Sequence, residues 1–153
     1  MLGNIKGLSD VITTVLIILV ALAAVAIISG VVIKNVKQSE GRIEALQICQ
    51  GLDITLLECN KDSTTPTSGT LKISRGTSDQ PISKVKILFE DSAGDVELVI
   101  IPSTSLPAVY ETSFVLYSGA PAAANKARLI SVVQASDGTE YDCRASNVKI
   151  DCT

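Results

Sequence analysis

Residues 7 to 33 read GLSDVITTVLIILVALAAVAIISGVVI. From Val11 to Ile33 no side chain carries a charge, and only Thr13, Thr14, Ser29 and Gly30 interrupt the apolar ones. At about 1.5 Å per residue such a helix runs roughly 34 Å, enough to cross a bilayer core of about 30 Å. The stretch is apolar on every side, so no face is left for water. It must lie in lipid or among helices of its own kind. Ala23, Ala26 and Gly30 fall at i, i+3 and i+7, one stripe along which a neighbouring helix can approach closely. No proline occurs before Pro66, so the helix is expected to continue through KNVKQSEGRIEALQI, residues 34 to 48. There Val36, Ile43 and Leu46 keep a sparse apolar stripe. Gly41 is its weak point, at about 1 kcal/mol relative to Ala.

Ahead of the run stands MLGNIKG, whose only charged side chain is Lys6. A secretory signal has an apolar region of about 7–15 residues followed by a small-residue cleavage site. This stretch is too long, and no such site follows it. Lys6-Gly7-Leu8-Ser9-Asp10 and the long apolar run instead resemble the class III signal peptide of archaeal type IV pilins and archaellins. The resemblance covers about the first 35 residues. It implies recognition of Lys6 and Gly7 by a prepilin peptidase and a cut before Leu8 that leaves the helix on the mature protein. The mature start Leu-Ser-Asp-Val-Ile differs from the bacterial branch, which begins with Phe and carries an early Glu, and is similar to the archaeal one. The organisation expected is a signal peptide over 1–7, an N-terminal helix over 8–48 and an extracellular β-domain over 49–153.

Orientation sets two arguments against each other. Lys34, Lys37 and Arg42 after the helix outweigh Lys6 before it, which by the positive-inside rule puts the larger part of the chain in the cytoplasm. Against this stand four cysteines, a Ser/Thr-rich loop and many short strand signals, all typical of an exported domain. The resembling family is also exported with this polarity. We therefore expect a single-pass protein of the cell membrane with its C-terminal domain outside.

After the helix the apolar period changes from 3.6 to 2. Leu52 to Leu56 alternates, as do Leu71 and Ile73, then Val85, Ile87 and Phe89. Val96 to Ile101 is nearly continuous, and Tyr110 to Tyr117, Leu129 to Val133 and Val148 to Cys152 complete about seven strands. Turn signals separate them at 62–69, 92–95, 118–121 and Asp137-Gly138. The fold class is α+β: a long hydrophobic helix followed by an all-β sandwich, with an immunoglobulin-like arrangement as the first candidate.

Four cysteines allow three pairings. If 49–59 and 143–152 are extended, each pair lies too far apart for a local bridge. Antiparallel neighbours then give Cys49–Cys152 with Cys59–Cys143, and parallel ones give Cys49–Cys143 with Cys59–Cys152. No CxxC and no His occur, which argues against zinc. The same lack of His removes Ser-His and Cys-His catalysis, and no phosphate-binding glycine loop occurs, so neither an enzyme nor a cofactor is expected. Glu90, Asp91, Asp95 and Glu97 around one turn lack the spacing of a calcium loop and read as a solvated hairpin tip. A net charge of −3 and a pI near 4.9 disfavour nucleic acid as a partner.

Two functions follow. One is a structural subunit of an archaeal type IV pilus-like surface filament, with attachment or cell contact as the implied role. Its partners are the membrane, the prepilin peptidase, and copies of itself or other pilins met through the helix. The other is a membrane-anchored binding domain, or minor pilin, that does not polymerise. Both share one processing prediction. N-terminal sequencing of the protein from its host membrane should begin Leu-Ser-Asp, and Gly7→Val should leave the chain uncut. A chain still starting at Met1 would contradict the resemblance.

Overall fold

The computed structural model of the chain describes the backbone of residues 5–153 and the side chains of residues 12–153. One helix, α1, covers Ile5–Gly51, and only strands and a short 3-10 turn follow it. The strands are β1 (Ile54–Lys61), β2 (Ser68–Arg75), β3 (Lys84–Asp91), β4 (Val96–Pro102), β5 (Thr112–Ser118), β6 (Ala124–Gln134), β7 (Glu140–Asp142) and β8 (Ile150–Asp151). Contacts divide the chain into two compact units, residues 1–40 and residues 41–153. The last turns of α1 therefore belong with the strands.

The second unit is a two-sheet sandwich. One sheet has the order β1-β2-β5 and the other β4-β3-β6-β7, with β8 also paired to β6. Every pairing between these strands is antiparallel. Alternation explains which face of each strand turns inward. Val85, Ile87 and Phe89 of β3 are fully buried, while Lys84 and Lys86 at alternate positions stay at the surface. Leu71 and Ile73 of β2 do the same around Lys72. The inner faces of both sheets meet in one cluster, where the Phe89 and Tyr117 rings pack with centroids 4.9 Å apart. In a constant-type immunoglobulin sandwich the fourth strand lies with the first, second and fifth. Here β4 pairs with β3 on the opposite sheet, and the remaining order is that of the immunoglobulin fold.

The end of the chain joins the two sheets. Ile150 and Asp151 pair with Ala127 and Lys126 of β6. The next residue, Cys152, makes a parallel bridge with Cys59 of β1. Thr153 donates its N–H to the Cys59 carbonyl at 3.0 Å and accepts one from Lys61 at 2.7 Å. A β-bulge between Leu56 and Glu58 bends β1 near this closure.

One sequence expectation needs correction, and two strands show what the sequence left unstated. Cys49 sits in the last turn of α1, so 49–59 is not one extended strand. The run 96–101 alternates in burial: Val99 and Ile101 are buried, while Val96, Leu98 and Ile100 are exposed. β7 had no alternation to announce it. Its residues Glu140, Tyr141 and Asp142 are polar, and ion pairs from β3 hold it across β6. Lys84 pairs with Glu140, and Lys86 with Asp142 at 2.7 Å.

The core makes a direct prediction. Phe89 has no exposed surface and bridges the sheets through Tyr117. Phe89→Ala should cost about 3–5 kcal/mol of stability, the range for emptying a buried aromatic site. Urea unfolding of the oxidised chain in detergent, followed by circular dichroism, measures it. A loss well under 1 kcal/mol would contradict this packing.

Candidate functional site: an uncovered apolar helix

The helix of the first unit carries the most distinctive chemistry. Every described side chain from Ile12 to Glu40 is exposed, including Leu16, Ile17, Leu19, Leu22, Ile27 and Ile28. By length and composition this is a helix able to cross a membrane, and none of it is buried by its own chain. Soluble domains rarely leave apolar surface of this extent open. Ala23, Ala26 and Gly30 lie on this exposed surface, and nothing stands within 4 Å of the position a Cβ would take at Gly30. Lys6, Gly7 and Leu8 fall within the α1 backbone, but their side chains lie outside the described residues.

The helix changes character at Gly41. In the second unit the face that packs is Gly41, Glu44, Ala45, Ile48 and Cys49, spaced at i, i+3, i+4, i+7 and i+8. This differs from the stripe expected from apolarity, because Ile43 and Leu46 are more than half exposed. Small residues explain the choice. Gly41 is buried, and a Cβ there would lie 2.7 Å from the Asp137 carboxylate and 3.2 Å from the Tyr141 hydroxyl. The glycine read from sequence as a weak point is a place where the β6–β7 turn comes close.

Three bonds fasten this face. Glu44 accepts hydrogen bonds from the Ser136 N–H at 3.0 Å and from its hydroxyl at 2.6 Å. The Cys49–Cys143 disulfide, with Cα atoms 5.4 Å apart, ties the helix end to the residue after β7. The Cys59–Cys152 disulfide, at 4.6 Å, ties β1 to the C-terminal segment. The cysteines thus take the parallel pairing, although Cys49 reaches it from a helix. Each bridge closes a loop of more than ninety residues. In the chain-entropy model one such bridge taken alone contributes on the order of 4–5 kcal/mol. Disulfides of this kind belong to an oxidising compartment.

The acidic turn has internal uses for its carboxylates. Asp91 accepts hydrogen bonds from the N–H groups of Ala93 and Asp95. Glu90 pairs with Lys149 at 2.7 Å and with Arg128 at 3.3 Å. Among the described residues no group of three or more His, Cys, Asp or Glu side chains is placed to hold a metal. The chain matches no protein-family model, no curated protein and no solved structure.

The Glu44 contact is testable through pH. The Ser136 hydroxyl, and then its N–H, hold the Glu44 carboxyl below the ordinary carboxylate range. A depressed folded-state pKa stabilises above the unfolded value and is lost as pH falls through the folded one. The Ser136 amide should therefore be protected from hydrogen exchange at neutral pH, and lose that protection progressively as pH falls below the ordinary carboxylate range. Glu44→Gln keeps an acceptor but cannot titrate, and should flatten the profile. Protection of the wild type that does not vary with pH would contradict the contact.

Proposed function

We propose that this chain is a structural subunit of an archaeal type IV pilus-like surface filament. The observation that carries the proposal is the helix from Ile12 to Ile33, uncharged and exposed on every side. Such a surface has two stable surroundings, lipid before assembly and other helices after it. The Lys6-Gly7 pair ahead of it supports a peptidase cut that frees the subunit for the second. Two disulfides in the β-domain support its placement outside the cell, against the charge bias of Lys34, Lys37 and Arg42. The function then needs no bond chemistry from this chain. The helix changes partners from acyl chains to helices, and the sandwich faces the surroundings, where attachment or cell contact takes place.

The experiment uses the small-residue stripe. Ala26→Leu with Gly30→Leu keeps the segment apolar, so insertion and cleavage should continue. Overpacking a close contact costs roughly 1–3 kcal/mol per site, and in a filament the cost recurs at each subunit. Filament yield, measured against processed protein in the membrane, should fall at least tenfold. Unchanged yield would mean that the stripe does not face neighbours. A wild-type host with processed protein and no filaments would favour the membrane-anchored binding domain.

A further inference from the structure

The two flanks of the sandwich are finished differently. On one flank, β1 carries a bulge, Glu58 and Lys61, and the C-terminal segment and Cys59–Cys152 cover it. On the other flank lie two neighbouring edge strands, β4 and β5. β4 is blunted by Glu97 and ends in Pro102, which has no N–H to offer. β5 has no such protection. Its seven residues, TSFVLYS, include no charge and no proline, and its pairing with β2 is regular from end to end.

The outward face of this open strand carries Phe114 and Leu116 between Thr112 and Ser118, and Lys72 of β2 stands over the Phe114 ring at 5.6 Å. Phe114 is 63 % exposed and Leu116 80 % exposed, while Val115 and Tyr117 between and beyond them are buried. Just ahead of the strand stands Tyr110, 76 % exposed, with a φ of 65° that a bulky residue seldom adopts. Hydrogen bonds on either side hold that conformation: the Tyr110 N–H to the Gly76 carbonyl, and the Arg75 N–H to the Glu111 carbonyl. A strained backbone that presents an aromatic ring to solvent is a feature of binding surfaces.

We infer that β5 is an interface for a second copy of this chain, which pairs with it antiparallel through its own β5. The edge strand itself is uncharged, and Lys72 beside it is already paired with Glu58 on its own sheet, so a second copy meets no repulsion along β5. About a twofold axis every residue meets the same surface on its mate, so a charged edge would repel itself. With the axis at Val115, Phe114 of one copy falls opposite Leu116 of the other, twice, on the outward face. Ser113 falls opposite Tyr117 on the inward face. The two three-stranded sheets become one sheet of six strands, and the unpaired backbone groups of both edges are satisfied. The inference does not rest on the filament reading, because an anchored domain that never polymerises carries the same edge.

Photo-crosslinking on the full chain tests it. Phe114→p-benzoylphenylalanine is made in isotopically heavy and light protein, mixed in membranes or mild detergent, and irradiated. Heavy–light crosslinks should land on residues 113–118 of the other copy. Leu116→Lys should reduce them at least tenfold, whereas Val96→Lys on β4 should leave them unchanged. The reciprocal arrangement, probe at Leu116 with Phe114→Lys, gives a second reading if one variant fails to form both disulfides. No heavy–light product, products on another segment or another protein, or crosslinking indifferent to Leu116→Lys would overturn the inference.

Discussion

Residues 12 to 33 present apolar side chains on all sides, and no part of their own chain covers them. Left in water, each such side chain forgoes about 1.5–3 kcal/mol of burial, so the segment cannot remain solvated. That constraint orders the rest of the account. It requires a continuous medium of lipid or helices around one part of the chain. The other part must then fold without borrowing that medium. The division between Glu40 and Gly41 marks where one requirement gives way to the other. Before it every described side chain is exposed, and after it the helix has a buried face.

The sandwich meets its own requirement with modest means. Its core is aliphatic, with Phe89 and Tyr117 as the aromatic pair between the sheets. Two long-range disulfides and the C-terminal pairing with β1 and β6 reduce what the core must supply alone. The ion pairs from β3 to β7 and from Glu90 to Lys149 are exposed, and such pairs contribute little singly. Their value is in register: two of them hold β7, whose residues are polar, and the third holds the residue before β8.

The helix was legible in the sequence because an uncharged run of that length leaves no competing structure. The strands β2 and β3 were legible from alternation, and β6 from its apolar stretch Leu129 to Val133. What escaped shares a physical cause: burial that does not depend on apolar side chains. Gly41 and Ala45 are buried because they are small, so the packed face of the helix end carried no hydrophobic signal, and Ile43 and Leu46 drew attention to the wrong side. β7 is polar and held by charge. The sheet that β4 joins depends on pairing partners, which alternation does not specify. The disulfide pairing was narrowed to two alternatives by the reach of extended chain, yet the assumption behind it, an extended 49–59, failed at the helix end. For the candidate site, the uncovered apolar run was legible, whereas the open edge at β5 needed the sheet order to be seen.

The central claim is that helices of neighbouring copies surround one another in a filament. Electron cryo-microscopy of surface appendages from the native host, at a resolution that traces side chains, addresses it most directly. The account predicts a filament core built from residues 12–33 of this chain, with each helix packed on the same segment of its neighbours. A core built from another protein, with this chain remaining as a lone span in the membrane, would contradict it.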